Sequence, residues 1–455
     1  MHGDFSLNPT HYRDRVSRVL QQMGRVQLDS DWNEQTESTL RFLRGLGADV
    51  IGAHGGVGKG FQIIPEKDDP AKSPFRVTWG HYYVDGIRCV NMPPMDFWDV
   101  IGDPALQKKL GDGLRITAHD DSYWPAKDEN PDRAERMLYL AVWERHISSA
   151  EDDSIREVAL LGPDTASRAV VTWQVRYTAS KPVLDLAKDL KIQPYDPNYL
   201  ALNLLLRSSA RMKARAIINQ KLEPCTISPE ARYRGAENRL YRVEIHDFAD
   251  PATDKPATFK WSQDNAAIVY AVRAPIEGTT VRLESLGRDE RTAIKKNDWV
   301  EVVDDEITLR RKVNPLLQVI DVDRQRMTVT LSAEPADKAG DDPKLHHPIL
   351  RRWAAPPEPV KEKPHWIELS DGVEVQFSHV ETPKGGYRTG DYWLIPTRTA
   401  TGDVIWPGPV ENPDALAPHG VDEHYAPLAL WGTTATGGGG TFTDLRWKFD
   451  PLAKK

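Results

Sequence analysis

Cysteine is nearly absent from this sequence: Cys89 and Cys225 are the only two in 455 residues. Two thiols so far apart exclude a disulfide-stapled scaffold and a thiolate zinc site, and they fit a chain that folds in a reducing compartment. No basic tract or acidic tail is present. The 59 Lys and Arg against 67 Asp and Glu leave a net charge of -8 with both signs interspersed, which offers no electrostatic footprint for nucleic acid or an anionic membrane. No window approaches the roughly 20 apolar residues of a membrane helix. Asp4, His11, Arg13, Asp14 and Arg15 stand where a signal peptide needs its apolar core. The expectation is a protein made in the cytoplasm and released, if at all, by lysis or within an assembly. H-E-x-x-H, G-x-S-x-G and G-x-G-x-x-G are all missing, so no catalytic residue, cofactor or metal is expected.

What is present favours strands. The 14 Trp and 14 Tyr outnumber the 10 Phe, and 34 Pro with 31 Gly interrupt the chain often, a balance that suits sheets and turns better than long helices. Met137–His146, Ala169–Tyr177, Leu240–Ile245, Ala267–Val272, Trp299–Val303 and Met327–Leu331 read as strands. Asp85-Gly86 and Ser370-Asp371-Gly372 read as hairpin turns. The fold class expected is mainly β with α, a multidomain α+β chain. Its expected segments are an N-terminal helical docking module at 1–56, a β-rich domain with helical insertions at 57–222, a small β-barrel or sandwich at 223–345, and a C-terminal β-rich segment at 346–455. One long body helix is expected to open at the cap Asp196-Pro197 and to run through Met212 to Ile217.

The N-terminal module organises the functional reading. Tyr12, Val16, Val19, Leu20 and Met23 fall on one face of a helix over 11–23, with Gly24 as its stop and Arg25 just after. Asp31 as N-cap with Glu34 three residues on suggests a capping box opening a second helix to about Leu46, whose stripe includes Trp32, Leu40 and Leu43 beside Asn33. Two short amphipathic helices bury little area by themselves, so these residues are the candidate partner-docking set.

Other readings of the region fail on spacing. Asp29-Ser30-Asp31-Trp32-Asn33 starts like a calcium loop but has Glu34 and Leu40 where Gly and a carboxylate are required. Gly58-Lys59 lacks the first Gly and the following hydroxyl of a phosphate loop, which leaves Gly52–Gly60 as a flexible hinge. His119-Asp120-Asp121 and His346-His347 are the densest metal-like clusters and read as surface turns. Trp-bearing strands keep a carbohydrate-binding module, with a cell-surface glycan as ligand, among the alternatives, and a carboxylate pair of a hydrolase could be assembled by the fold.

The run Met1–Ser6, His11-Tyr12 and Val19–Gln35 (VLQQMGRVQLDSDWNEQ) resembles an uncharacterised family encoded with phage-tail-like particles and contractile injection systems. The similarity continues through Phe259–Asn265, Asp391–Pro396 and His424–Leu428. The resemblance implies a structural component of such a particle, baseplate-peripheral or fibre-attaching, oligomeric in the assembly and partnered by other subunits. It carries no catalytic residues. The alternative is an effector or hydrolase delivered by the particle.

Overall fold

The computed structural model describes residues 1–7, 16–65, 75–92, 113–115, 135–217, 231–248, 255–336, 347–361, 365–380, 386–432 and 441–450. The chain is mainly β, with several sheets and few helices. It forms two compact units: unit 1 gathers Met1–Gln35, Arg145–Val170 and Ser208–Val421, and unit 2 gathers Thr36–Glu144, Val171–Arg207 and Asp422–Lys455. The four segments expected from the sequence follow chain order, whereas each unit collects three separate stretches. Pairing between distant strands makes such units, and local patterning carries no trace of it.

Unit 1 contains a β-sandwich and a small barrel. One sandwich sheet runs in the order Glu358–Pro359, Thr258–Ser262, Leu240–Asp247, Tyr392–Arg398, Asp403–Val404, and the other in the order Ile367–Glu368, Val373–His379, Ala210–Ala216. Their inner faces share a core of Met212, Ala214, Tyr241, Val243, Phe259, Val375, Phe377 and Trp393. The six-stranded sheet has the order Val269–Ala271, Ile349–Trp353, Trp299–Val303, Leu317–Asp323, Thr328–Leu331, Thr280–Arg282. A bridge between Val272 and Leu283 joins its two ends, closing it around Tyr270, Val300, Val319, Val329 and Leu350.

Unit 2 has its core around Phe61, Val77, Tyr82, Leu138, Leu140, Val142, Leu428 and Trp431. All but Phe61 come from the strands Phe75–Thr78, Gly80–Val84, Arg136–Ile147 and His424–Gly432. The hairpin between Gly80–Val84 and Ile87–Asn91 turns at Asp85 and Gly86, with φ of 47° and 74°, the pair of positive values a two-residue type I′ turn requires.

Helix α1 spans Asp29–Ile51 (23 residues). Beyond it lie α2 (Lys181–Lys188), α3 (Pro197–Leu206) and the short α4 (Asp305–Arg310). Asp196 caps α3 as expected, its side chain accepting from the Asn198 amide at 2.8 Å. The expected continuation to Ile217 is corrected: after Leu206 the chain becomes the strand Ala210–Ala216, burying Ala210, Met212, Ala214 and Ala216 and leaving the residues between half-buried. Period two wins there because Val373–His379 supplies a hydrogen-bonding partner along its whole length. The glycines expected to form a hinge are also corrected, since His54–Val57 is a strand with His54, Gly55 and Gly56 buried. A side chain at Gly56 would meet the Tyr82 ring at 2.7 Å.

Candidate functional site

The candidate docking residues divide into two groups. Tyr12 lies outside the described residues. Val16, Val19, Leu20 and Met23 belong to an irregular segment over 16–28, not to a helix. Gly24, with φ of 72°, makes a turn there, and the Arg25 amide donates to the Gln22 carbonyl at 3.3 Å. The segment is held at one end by the Val19 amide, which donates to Gln35 Oε1 at 2.8 Å. Leu20, Met23, Val26 and Leu28 are all exposed, and Arg25 is exposed with them. The apolar spacing of a helix was present without a surface for that face to pack on, and an isolated turn of helix is marginal in water.

Trp32, Asn33, Leu40 and Leu43 do share α1, which begins two residues before the expected cap at Asp31. Asp29 is instead tied to Ser6, whose amide and hydroxyl donate to its carboxylate at 2.9 and 2.5 Å. These bonds hold the Asp29 carboxyl below its ordinary value despite the opposing effect of burial.

The orientation of α1 reverses the usual amphipathic rule. Its buried residues are the polar Glu34 and Ser38. Within unit 2, Arg44 pairs with Glu144 at 2.6 Å, and Gly47 approaches Gly86 so closely that a Cβ on Gly47 would lie 3.3 Å from the Gly86 Cα. The Ala48 and Asp49 carbonyls accept from the Tyr195 hydroxyl at 2.9 and 3.1 Å, and the Ile51 carbonyl accepts from Trp447 Nε1 at 3.2 Å. The last turn therefore has partners for carbonyls that a helix end leaves open. On the outer side, Phe42 is 70 % exposed, Leu43 55 %, Leu46 49 % and Val50 68 %. Spacings of three and four place Leu43, Leu46 and Val50 in one row, with Phe42 one turn from Leu46. Leu40 is partly buried, Asn33 likewise, and Trp32 is exposed near the start of the same helix.

A second arrangement went unread in the sequence. In unit 1 the Met1 α-amine donates to Tyr392 Oη at 2.9 Å, and the Met1 carbonyl accepts from Arg242 Nη1 at 3.1 Å. His2 Nε2 lies 3.4 Å from Glu244 Oε2, and the Gly3 carbonyl accepts from Asn265 Nδ2 at 2.8 Å. Burial, then the neighbouring Arg242, pushes both the amine and the His2 imidazole well below their ordinary values. Arg242 also bonds Glu244 at 2.7 Å and lies 3.6 Å from the centre of the Tyr392 ring. Three stretches noted separately in the sequence, Met1–Ser6, Phe259–Asn265 and Asp391–Pro396, meet here.

The same cluster holds two carboxylates that share one cation. Glu244 and Glu301 both contact Lys260 Nζ, at 3.4 and 2.6 Å, and Glu301 also accepts from Trp353 Nε1 at 2.9 Å. Burial alone would raise the Glu244 carboxyl, but Arg242 and Lys260 hold it well below its ordinary value. Each carboxylate is matched by a cation, so the cluster is an ion network. Among the described residues no three His, Cys, Asp or Glu side chains converge as a metal site. His347 pairs with Asp305 at 2.8 Å, while His119-Asp120-Asp121 and His346 lie outside the described residues. Trp143, Trp261, Trp353, Trp393 and Trp431 are buried, so the strand tryptophans mostly serve the cores. No helix among the described residues is long and apolar enough to cross a membrane.

Fold and surface together define a mainly β protein of two compact units with an apolar helix face turned outward. The chain belongs to a family described as a family of unknown function (DUF6519), which it matches over residues 1–192 and 199–453. No curated protein and no solved structure matches it.

Proposed function

We propose that the protein is a structural subunit of a phage-tail-like particle, baseplate-peripheral or fibre-attaching, that docks onto a neighbouring subunit through the outer face of α1. The observation that carries this reading is the reversed amphipathicity of that helix. Within unit 2 its Arg44 pairs with Glu144 and its Gly47 lies against Gly86, while Phe42, Leu43, Leu46 and Val50 remain exposed. Solvating such a row has a cost that burial against a partner removes, at about 1.5–3 kcal/mol for each side chain fully covered. The partner surface is an apolar groove or helix with few charges, since the row itself offers none. Exposed Leu20, Met23, Val26 and Leu28 in unit 1 provide further apolar area of the same kind.

The test is the double variant Leu43→Glu with Leu46→Glu, produced in a strain that assembles the particles. The isolated variant is expected to fold like the parent and to be at least about 100-fold depleted from purified particles, as two lost apolar contacts imply. Full occupancy of the variant in particles would overturn the reading.

A further inference from the structure

Two apolar surfaces that stay exposed in this chain differ in charge. The first is the segment over 16–28, which leads directly into α1. Its ends are fixed: the Val19 amide donates to Gln35 Oε1 at 2.8 Å, and the Asp31 amide donates to the Leu28 carbonyl at 3.2 Å. Between those ties the chain turns at Gly24 and leaves Leu20, Met23, Val26 and Leu28 exposed. The second surface is the row Phe42, Leu43, Leu46 and Val50 on α1. Four large apolar side chains stand on each. The segment over 16–28 carries Arg18 and Arg25, both exposed, and no carboxylate. Helix α1 carries Asp29, Asp31, Glu34, Glu37 and Asp49 against Arg41 and Arg44, and Arg44 is already paired with Glu144 at 2.6 Å. Asp49, next to Val50, is exposed. Opposite charges draw such surfaces together, whereas segment on segment or helix on helix sets like charges against each other.

We infer that the occupant of the α1 outer face is a second copy of this chain, whose segment over 16–28 lies along the row Phe42, Leu43, Leu46 and Val50. The inference rests on the docking reading of α1 and names its partner. Each copy supplies both halves of the match, an apolar segment of net positive charge and an apolar helix face of net negative charge. Because the segment is tied at both ends before it binds, little ordering is left to oppose the contact. The contact joins unlike surfaces, so each copy offers a segment to one neighbour and a helix to the same neighbour or the next. Such an arrangement closes as a reciprocal pair or as a ring.

The experiment mixes two full-length variants that each lose one half of the contact. Leu43→Glu with Leu46→Glu spoils the helix face and keeps the segment, while Met23→Glu with Val26→Glu spoils the segment and keeps the helix face. In sedimentation equilibrium the parent is expected to associate beyond its 51.3 kDa. Each variant alone is expected to self-associate at least about 100-fold more weakly. Their equimolar mixture is expected to form pairs of one chain of each kind at least about tenfold more tightly than either variant pairs with itself, because one intact segment then meets one intact helix face. Arg18→Glu with Arg25→Glu is expected to weaken the parent's association at least about fivefold. A parent that stays monomeric, a mixture that associates no better than its components, or association indifferent to the two arginines would overturn the inference. The two readings fail separately. A monomeric parent whose Leu43→Glu, Leu46→Glu variant is still depleted from particles overturns the second copy and leaves α1 docked on a different subunit. A variant that enters particles at full occupancy overturns the docking itself.

Discussion

Residues 1–7 and the outer face of α1 put opposite kinds of group in opposite places. The N-terminal residues send an amine, an imidazole and three carbonyls toward buried Arg242, Glu244 and Asn265 or the neighbouring Tyr392 and Arg398. The helix leaves Phe42, Leu43, Leu46 and Val50 toward solvent. The difference teaches where each region's interactions are completed. Polar groups in the first region find their partners within unit 1, as buried polar groups must. The apolar row on α1 stays exposed, and it is this row that the proposed docking would cover.

The comparison breaks most visibly at Arg242. Replacing it by Met would remove the buried donor of the Met1 carbonyl and the closer of the two cations on Glu244, a loss of about 3–5 kcal/mol in urea unfolding followed by the fluorescence of the buried tryptophans. A loss below about 1 kcal/mol would mean that the cluster is not holding the N-terminal residues.

The inner side of α1 gives the next largest effect. Gly86 has φ of 74°, and a Cβ there would fall 2.0 Å from the Arg44 carbonyl oxygen. Gly86→Ala is therefore expected to cost about 2 kcal/mol or more and to raise amide exchange over residues 40–51. Unchanged exchange would separate the helix from the hairpin beneath it.

Unit 2 also carries a pH-dependent contribution opposite in sign to that of the lowered Met1 amine and His2 imidazole in unit 1. Burial pulls His424 down, but Asp422 and Asp85 outweigh it and hold the imidazole up to about 9 against an ordinary 6.5. Its stabilisation is thus complete below about pH 6.5 and lost as the pH rises through about 9. Urea midpoints are expected to fall across that window in the parent, and His424→Asn is expected to flatten the fall. An equal slope in both proteins would remove His424 as the cause.

The smallest expected effect is the most diagnostic of an outer face. Leu43→Glu with Leu46→Glu is expected to shift the stability of the isolated chain by no more than about 0.5 kcal/mol per site, as surface changes do. A larger loss would show that the row packs within the chain itself.

Much of the fold was legible in the sequence wherever the signal is local. Asp85-Gly86 and Ser370-Asp371-Gly372 turned where turn chemistry demands, with Asp371 and Gly372 at φ of 53° and 85°. The apolar runs at Arg136–Ile147 and Leu240–Asp247 became buried strands. Long-range pairing was not legible. Ala210–Ala216 carries both helical and alternating spacings, and the choice fell to its partner Val373–His379. Of the candidate site, Trp32, Asn33, Leu40 and Leu43 were placed on a helix correctly, but Val50 was missed because the helix runs on to Ile51. The N-terminal cluster left no local signal, since it joins Met1 to residues 241 and 391 positions away.

Attachment through the outer face of α1 is tested most directly by a photo-crosslinking residue placed at Leu43 in particles assembled in the cell. Arg326, whose side chain is 84 % exposed, serves as the control position. The account predicts one defined adduct with a particle subunit from position 43 and none from position 326. Particles that contain the protein yet give no adduct from 43, or the same adduct from both positions, would contradict it.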